Sequence, residues 1–278
     1  MREKLNFLAD RRWPGDLLAL LSGASFPFGF APFDYWPIGI VSIITFLLSL
    51  ANASNRRGVW RFYLFAVGMY GIGASWIYVS IHRDGGASAM LATALVAGFV
   101  LWLSLISVLH GILYMRFVRP LPQGLLLGFP LMWVLQEWFR TWFLTGFPWL
   151  FAGYGHLGTP LAGWGPVLGV MGMSLGVVMT ATVIYLMVRE RTRRSTVTGM
   201  LTLALVWGGG FVLTRVDFVE STGETISVSA VQGNVDQATK WQRSMVQPIL
   251  RLYADLTSQE WGRDLVVWPG AAVTVFKE

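Results

Sequence analysis

Two charged residues stand three apart inside an apolar stretch, LQEWFRTWF at 135–143, where Glu137 and Arg140 share one face of a helix. A carboxylate and a guanidinium at the end of an apolar run pair with each other, line a polar cavity or contact a lipid headgroup. The rest of the chain is sparing with reactive groups. Its 278 residues include no cysteine, which removes disulfides, cysteine-based metal sites and thiolate nucleophiles together. The three histidines, His82, His110 and His156, are too dispersed for a metal motif, so neither a metal nor a cofactor is expected.

The elements that must position these groups belong in a membrane. Hydrophobic residues make up 54% of the chain and charged ones 13%, with 14 Trp, far to the apolar side of a soluble domain. The net charge of +6 does not indicate nucleic acid, because the basic residues form short clusters between apolar runs instead of one groove. Spanning roughly 30 Å of hydrocarbon takes ~20 apolar residues in a helix. Seven runs meet or approach that length: 14–32, 36–52, 59–81, 88–115, 124–144, 165–188 and 197–213. The first follows basic residues as a signal peptide would, but six further runs favour an uncleaved anchor.

Thirteen Lys and Arg fall at the N-terminus and in alternate connections: Arg2, Lys4, Arg11, Arg12, then Arg56, Arg57, Arg61, then Arg116, Arg119, then Arg189, Arg191, Arg193, Arg194. The other short connections carry only Arg83 and Arg140. The positive-inside rule therefore places the N-terminus in the cytoplasm and everything after about residue 214 outside. Two outward connections, FPFGFAPFDYWP at 26–37 and TGFPWLFAGYG at 145–155, mix aromatic rings with Gly and Pro. Such rings, Phe147 and Trp149 among them, form an interfacial belt or the rim of a lipid-entry path. Gly165, Gly169, Gly172 and Gly176 give small-xxx-small steps that predict close helix packing.

After Arg215 the pattern changes. In TISVSAVQGNV, Ile226, Val228 and Ala230 alternate with serines, the period of a half-buried strand. Met245, Ile249, Leu252, Tyr253 and Leu256 then recur at helical spacing, with Pro248 as a kink or a first-turn residue. LVVW at 265–268 is apolar without alternation, as for a strand covered on both faces. Strand, helix, strand predicts a βαβ crossover opening a parallel sheet. Two strands and a helix bury too little apolar surface to offset their ordering entropy, so an α/β domain would need more chain than this. The expected organisation is a membrane helical domain over 1–214 and the start of an α/β domain over 215–278.

FAPFDYWP, SWIYVSIHRDGG, EWFRTWFLTGFPWL, VQGNVDQATKW and LVVWPGAAVTVFKE, in that order across seven spans, resemble apolipoprotein N-acyltransferases, the last enzymes of bacterial lipoprotein maturation. The resemblance implies an inner-membrane protein with a nitrilase-like periplasmic domain before an eighth helix. It also implies a Glu-Lys-Cys triad. The cysteine takes an acyl chain from a phospholipid donor as a thioester and passes it to the α-amine of a diacylglyceryl-cysteine on an apolipoprotein acceptor. In that scheme the Glu is the general base and the Lys steadies the oxyanion.

Carried over residue by residue, the pattern departs at its chemistry. The family's Trp-Pro-Glu is Trp268-Pro269-Gly270 here, so the general-base position holds a glycine. Ala271, Val273 and 275–278 keep the pattern, while Thr274 replaces a usual proline. The triad Lys and Cys and the eighth helix would lie beyond residue 278, as in a truncated enzyme, and this chain alone is expected to be inactive. The alternative is a lipid-binding remnant or one half of a split enzyme. Trp241 matches a family position near the acyl-chain site, beside the readings of a core or interfacial Trp. Gln232 and Gly233 are accounted for by turn chemistry.

Overall fold

The computed structural model describes residues 12–274. Arg2, Lys4, Arg11 and residues 275–278, which entered the charge count and the motif match, lie outside the described residues. The chain divides into two compact units, one of Met1–Ile77 with Met90–Phe218 and the other of Tyr78–Ala89 with Val219–Glu278.

In the first unit each expected apolar run is helical. The helices are α1 (Arg12–Ser25), α2 (Trp36–Leu50), α3 (Asn55–Gly73), α4 (Ala89–Leu113), α5 (Phe129–Trp142), α6 (Gly165–Glu190) and α7 (Arg193–Leu203), the last continued to Leu213. Among the described residues three helical stretches are long and apolar enough to cross a membrane: Ala89–Val118, Pro160–Glu190 and Arg193–Leu213. A fourth joins them if the bent pair Asn55–Gly73 and Trp76–Asp84 counts as one span. Of the seven expected spans, three, or four with the bent pair, are thus long and apolar enough among the described residues. The run 14–32 continues past the 14 residues of α1 into the tight turn Phe26–Gly29, and α2 has 15 residues, whereas α5 is prolonged at its start by the widened turns of Gly124–Gly128. At 1.5 Å per residue α1 and α2 are shorter than the hydrocarbon layer.

α4 shows its membrane character directly: Met90, Leu91, Leu95, Leu101, Leu105 and Leu109 all face outward. A helix that is apolar on its outer face as well as its inner one is made for lipid. Inside, Ile43, Phe46, Phe65, Ala66, Met69, Phe129 and Val177 are among the side chains of one core. α1 and α3 touch backbone to backbone. A Cβ on Gly23 would overlap the Phe65 carbonyl oxygen, and one on Gly68 would overlap that of Leu20. Gly68→Val is therefore expected to force the two helices apart at a cost of about 1–3 kcal/mol, read as a lower unfolding midpoint in detergent. An unchanged midpoint would show that the helices adjust freely.

Polar groups fasten the same region. Ser42 Oγ donates to the Ser22 carbonyl at 2.5 Å, Ser22 Oγ to Thr45 Oγ1 at 2.7 Å, and Arg119 caps the end of α2 through the Ala51 and Ala53 carbonyls. Asp16 on α1 pairs with both Arg57 and Arg61 of α3. Gly169 corrects the glycine reading. Its φ is +64°, it breaks α6, and open space surrounds it, so its role is conformational. Gly176 does pack closely, against Val206 and Leu161.

In the second unit β1 (Val228–Ala230) and β2 (Leu265–Val267) pair in parallel, with Val228 opposite Leu265 and Ala230 opposite Val267. Between them lie a short helix α8 (Gln237–Lys240) and α9 (Val246–Ser258), with Pro248 in the first turn of α9. Ile249, Tyr253, Val231 and Ala272 form the small core, with Met245, Leu256 and Val266 against it. Two strand expectations are corrected. Ile226 and Val228 are on the open face of the pair, and Leu265 and Val267 are 46% and 44% exposed. One helix covers one face, so Ser229, Val231 and Val266 turn inward and the other face stays uncovered.

Asp264 fixes the register at the start of β2: its carboxylate accepts from the backbone N–H and the hydroxyl of Ser227, both at 2.7 Å. Those bonds hold its pKa below the ordinary carboxylate value. A depressed carboxylate stabilises above its unfolded pKa of about 3.9 and loses that contribution as pH falls through its folded value. Pepsin cleavage within 225–270 is expected to be slower than in Asp264→Asn at about pH 5, with the difference shrinking as pH falls through the folded pKa of Asp264. Equal rates at the higher pH would remove Asp264 as the register pin.

Candidate functional site

The Glu137 and Arg140 side chains are buried, at 1% and 3% exposure, near the end of α5. They do not bond each other, since no ion pair within 4 Å joins them. Each instead reaches into the connection 145–155. Glu137 Oε1 accepts from Trp133 Nε1 and from the Ala152 N–H, both at 2.8 Å, while Arg140 Nη1 donates to the Trp149 carbonyl at 2.9 Å. The guanidinium also lies over the Phe151 and Tyr70 rings, at 4.9 and 5.5 Å. Ser174 of α6 completes the clamp by accepting from the Gly153 N–H at 2.8 Å. One helix face thereby shapes a loop whose own backbone is irregular, with positive φ at Leu144, Thr145, Gly146 and Leu150.

Phe147 stacks on Trp149 at 5.3 Å and meets Phe99 and Tyr70 edge-on, and Trp149 also neighbours Trp76. Phe147 is half-buried and Trp149 is exposed. The other aromatic connection packs beside this one. A Cβ on Gly155 would stand 2.7 Å from the Gly29 carbonyl, and Trp36 lies 5.8 Å from the His156 ring. Phe26 is buried against Phe65 and Trp133. The two stretches that share a composition thus share a place, at the end of the bundle where α1 and α5 finish.

The second unit gathers different residues at the C-terminal ends of its parallel strands. The Gly233 N–H donates to the Tyr253 hydroxyl at 3.3 Å, and a Cβ there would press on the Tyr253 ring at 2.9 Å, so Gly233 is required by close approach. Tyr253 neighbours Trp268, whose Nε1 donates to Thr257 at 2.9 Å. Gly270 follows two residues later. Among the described residues no atom lies within 4 Å of where its Cβ would be, and its φ is not in the left-handed region. A side chain at 270 would stand free at the strand ends, where open parallel sheets place their functional groups. Trp241, after α8, is 56% exposed and is no core residue.

The family model for the apolipoprotein N-acyltransferase N-terminal domain matches residues 22–183, more than half of the chain. The chain belongs to the apolipoprotein N-acyltransferase family. The apolipoprotein N-acyltransferase of Pseudomonas syringae pv. tomato is 42% identical over 271 residues, covering 96% of this chain and 53% of that protein. That of Pseudomonas putida is 43% identical over 270 residues, 96% of this chain and 53% of its own. That of Coxiella burnetii is 36% identical over 264 residues, 94% and 54%. The chain spans about half the length of these curated relatives.

Within this chain the residues clamping the 145–155 loop all lie in the segment matching the family's N-terminal domain, and Trp241 and Gly270 lie beyond it. Sequence reasoning misses Asp16 and Ser174, and it reads Tyr253 only as part of the covered face of a helix. A carboxylate at the edge of LLALLSGAS was a usable signal for Asp16, because charge in an apolar run needs a partner. Nothing local marked Ser174.

Proposed function

We propose that this chain serves phospholipid-dependent N-acylation of apolipoproteins as an inner-membrane, multi-pass part of that enzyme, with 1–214 as the membrane domain and 215–278 as the opening of a nitrilase-like periplasmic domain. The observation that carries the reading is position 270, which follows the second parallel strand on a turn with open space for a side chain. In the family's scheme a thiolate attacks the phospholipid's ester carbonyl. The ester C–O bond breaks, and the released alkoxide takes a proton. The lipoprotein's α-amine then attacks the thioester, its proton passes to the base, and the thiol is regenerated as the amide forms.

Here 270 is glycine and residues 1–278 include no cysteine, so these residues supply neither the base nor the thiolate of that scheme. The glycine at 270 also supports the alternative of a lipid-binding role. Trp241 lies toward the acyl chain, and Glu137 and Arg140 set the loop that presents Phe147 and Trp149 to the lipid. The clamp on that loop supports positioning rather than proton transfer for both charges.

The test is a chimera. Residues 1–278, with Glu at 270, replace the matching half of the Pseudomonas syringae relative, and transfer of a labelled phospholipid acyl group to a diacylglyceryl-cysteine peptide is measured. Transfer supports the reading, and a folded, membrane-inserted chimera without transfer overturns it. Topology is tested on the native chain, whose lack of cysteine makes single substitutions clean probes. In intact cells a membrane-impermeant maleimide is expected to label Ser221→Cys and spare Arg193→Cys. The reverse pattern would invert the proposed orientation.

A further inference from the structure

The end of the membrane unit where α1 and α3 begin and α2 finishes holds a cavity of about 340 Å³, lined among others by Arg12, Asn52, Arg56, Arg57, Trp60 and Arg61. Asp16 engages Arg57 and Arg61 there. Among the described residues four guanidinium groups face one carboxylate, a surplus of three positive charges. Arg12 and Arg56 are exposed and form no ion pair among the described residues, and Arg57 Nε is buried without an acceptor. The 19-residue α3 also begins here, behind its Ser54 cap, adding the positive end of its dipole.

We propose that this cavity binds the phosphate of an anionic phospholipid headgroup. Arginines match phosphate oxygens in a planar fork, and a surplus of such charge in a concavity favours an anion over a zwitterion. The surroundings favour a lipid over free phosphate. Trp60, 45% exposed, stacks on Tyr63 at 5.3 Å, the pairing of an interfacial anchor. Trp13, Leu17 and Leu21 form an outward stripe along α1, starting beside Arg12, along which acyl chains would lie. The site is at the start of α1, whereas both aromatic connections are gathered where that helix ends, so this lipid is distinct from one entering at the loops.

The full chain in neutral-detergent micelles is titrated with phosphatidylglycerol or phosphatidylcholine and bound lipid is counted by native mass spectrometry. One phosphatidylglycerol is expected to be retained in preference to phosphatidylcholine. Arg12→Gln and Arg56→Gln are each expected to weaken it about fivefold, while Arg193→Gln has no effect. Both cavity substitutions are at exposed positions outside the Asp16 pairs, and unchanged thermal unfolding will confirm intact folding. Equal retention of the two lipids, or no weakening in either cavity variant, overturns the proposal. If inorganic phosphate alone binds as tightly, with the same losses in both variants, the cavity serves a soluble anion and the lipid assignment falls.

Discussion

Asp16→Ala is expected to destabilise the membrane unit by about 3–5 kcal/mol. The Asp16 carboxylate receives Arg61 Nε at 3.0 Å and also pairs with Arg57. The two arginines are not equivalent. The Arg57 side chain is about one-third exposed and can turn to water, whereas Arg61 is 2% exposed, its other guanidinium nitrogens lying against the Ser49 carbonyl and over Gly15. Removing the carboxylate takes from a buried guanidinium its ionic partner at 3.0 Å, and that loss is what costs. Unfolding in mixed micelles measures it. The double variant Asp16→Ala with Arg61→Met should recover most of the loss, since an apolar side chain of similar length needs no partner. A loss below about 1 kcal/mol in the single variant would mean that Arg61 reaches solvent and the pair is a surface one.

Gly270→Glu in the chimera is expected to raise the rate of acyl transfer by about 10²–10⁴-fold over the same chimera with glycine, the usual contribution of a positioned general base. The geometry predicts that the carboxylate costs no stability. Among the described residues its Cβ meets nothing within 4 Å, and the φ at 270 lies outside the left-handed region that favours glycine. Gly270→Gln separates the roles, because it fills the same space without taking a proton and should stay at the glycine rate. Equal rates for glycine and glutamate would remove position 270 from the chemistry. A gain with glutamine as large as that with glutamate would assign the position to packing.

Much of this chain was legible before any coordinates. Apolar runs of helical length report burial or lipid contact one segment at a time, and each of the seven runs is helical. Motif order alone pointed to the family that the comparisons establish. The core face of α9 was equally readable, since Ile249 and Tyr253 recur at the period of a helix with one covered side. Helix ends were not legible: apolar composition continues through Phe26–Gly29 and past Trp142 while the backbone turns. Nor was the inward face of β1, because alternation gives the period of a strand and the location of α9 selects the face.

What only the tertiary structure decided is which groups meet. Glu137 and Arg140 have the spacing of a pair, yet Ala152 and Trp149 lie nearer to hand and take their bonds. Arg61 counts as a free positive charge along the sequence until the fold sets it against Asp16, 45 residues away. Gly23 and Gly68 resemble any other glycines in a helix until two backbones cross there. Periodicity along one segment states how much of it must be covered, but a hydrogen bond or a backbone contact between distant segments depends on how those segments pack, and packing is settled only when all of them compete for the same core at once.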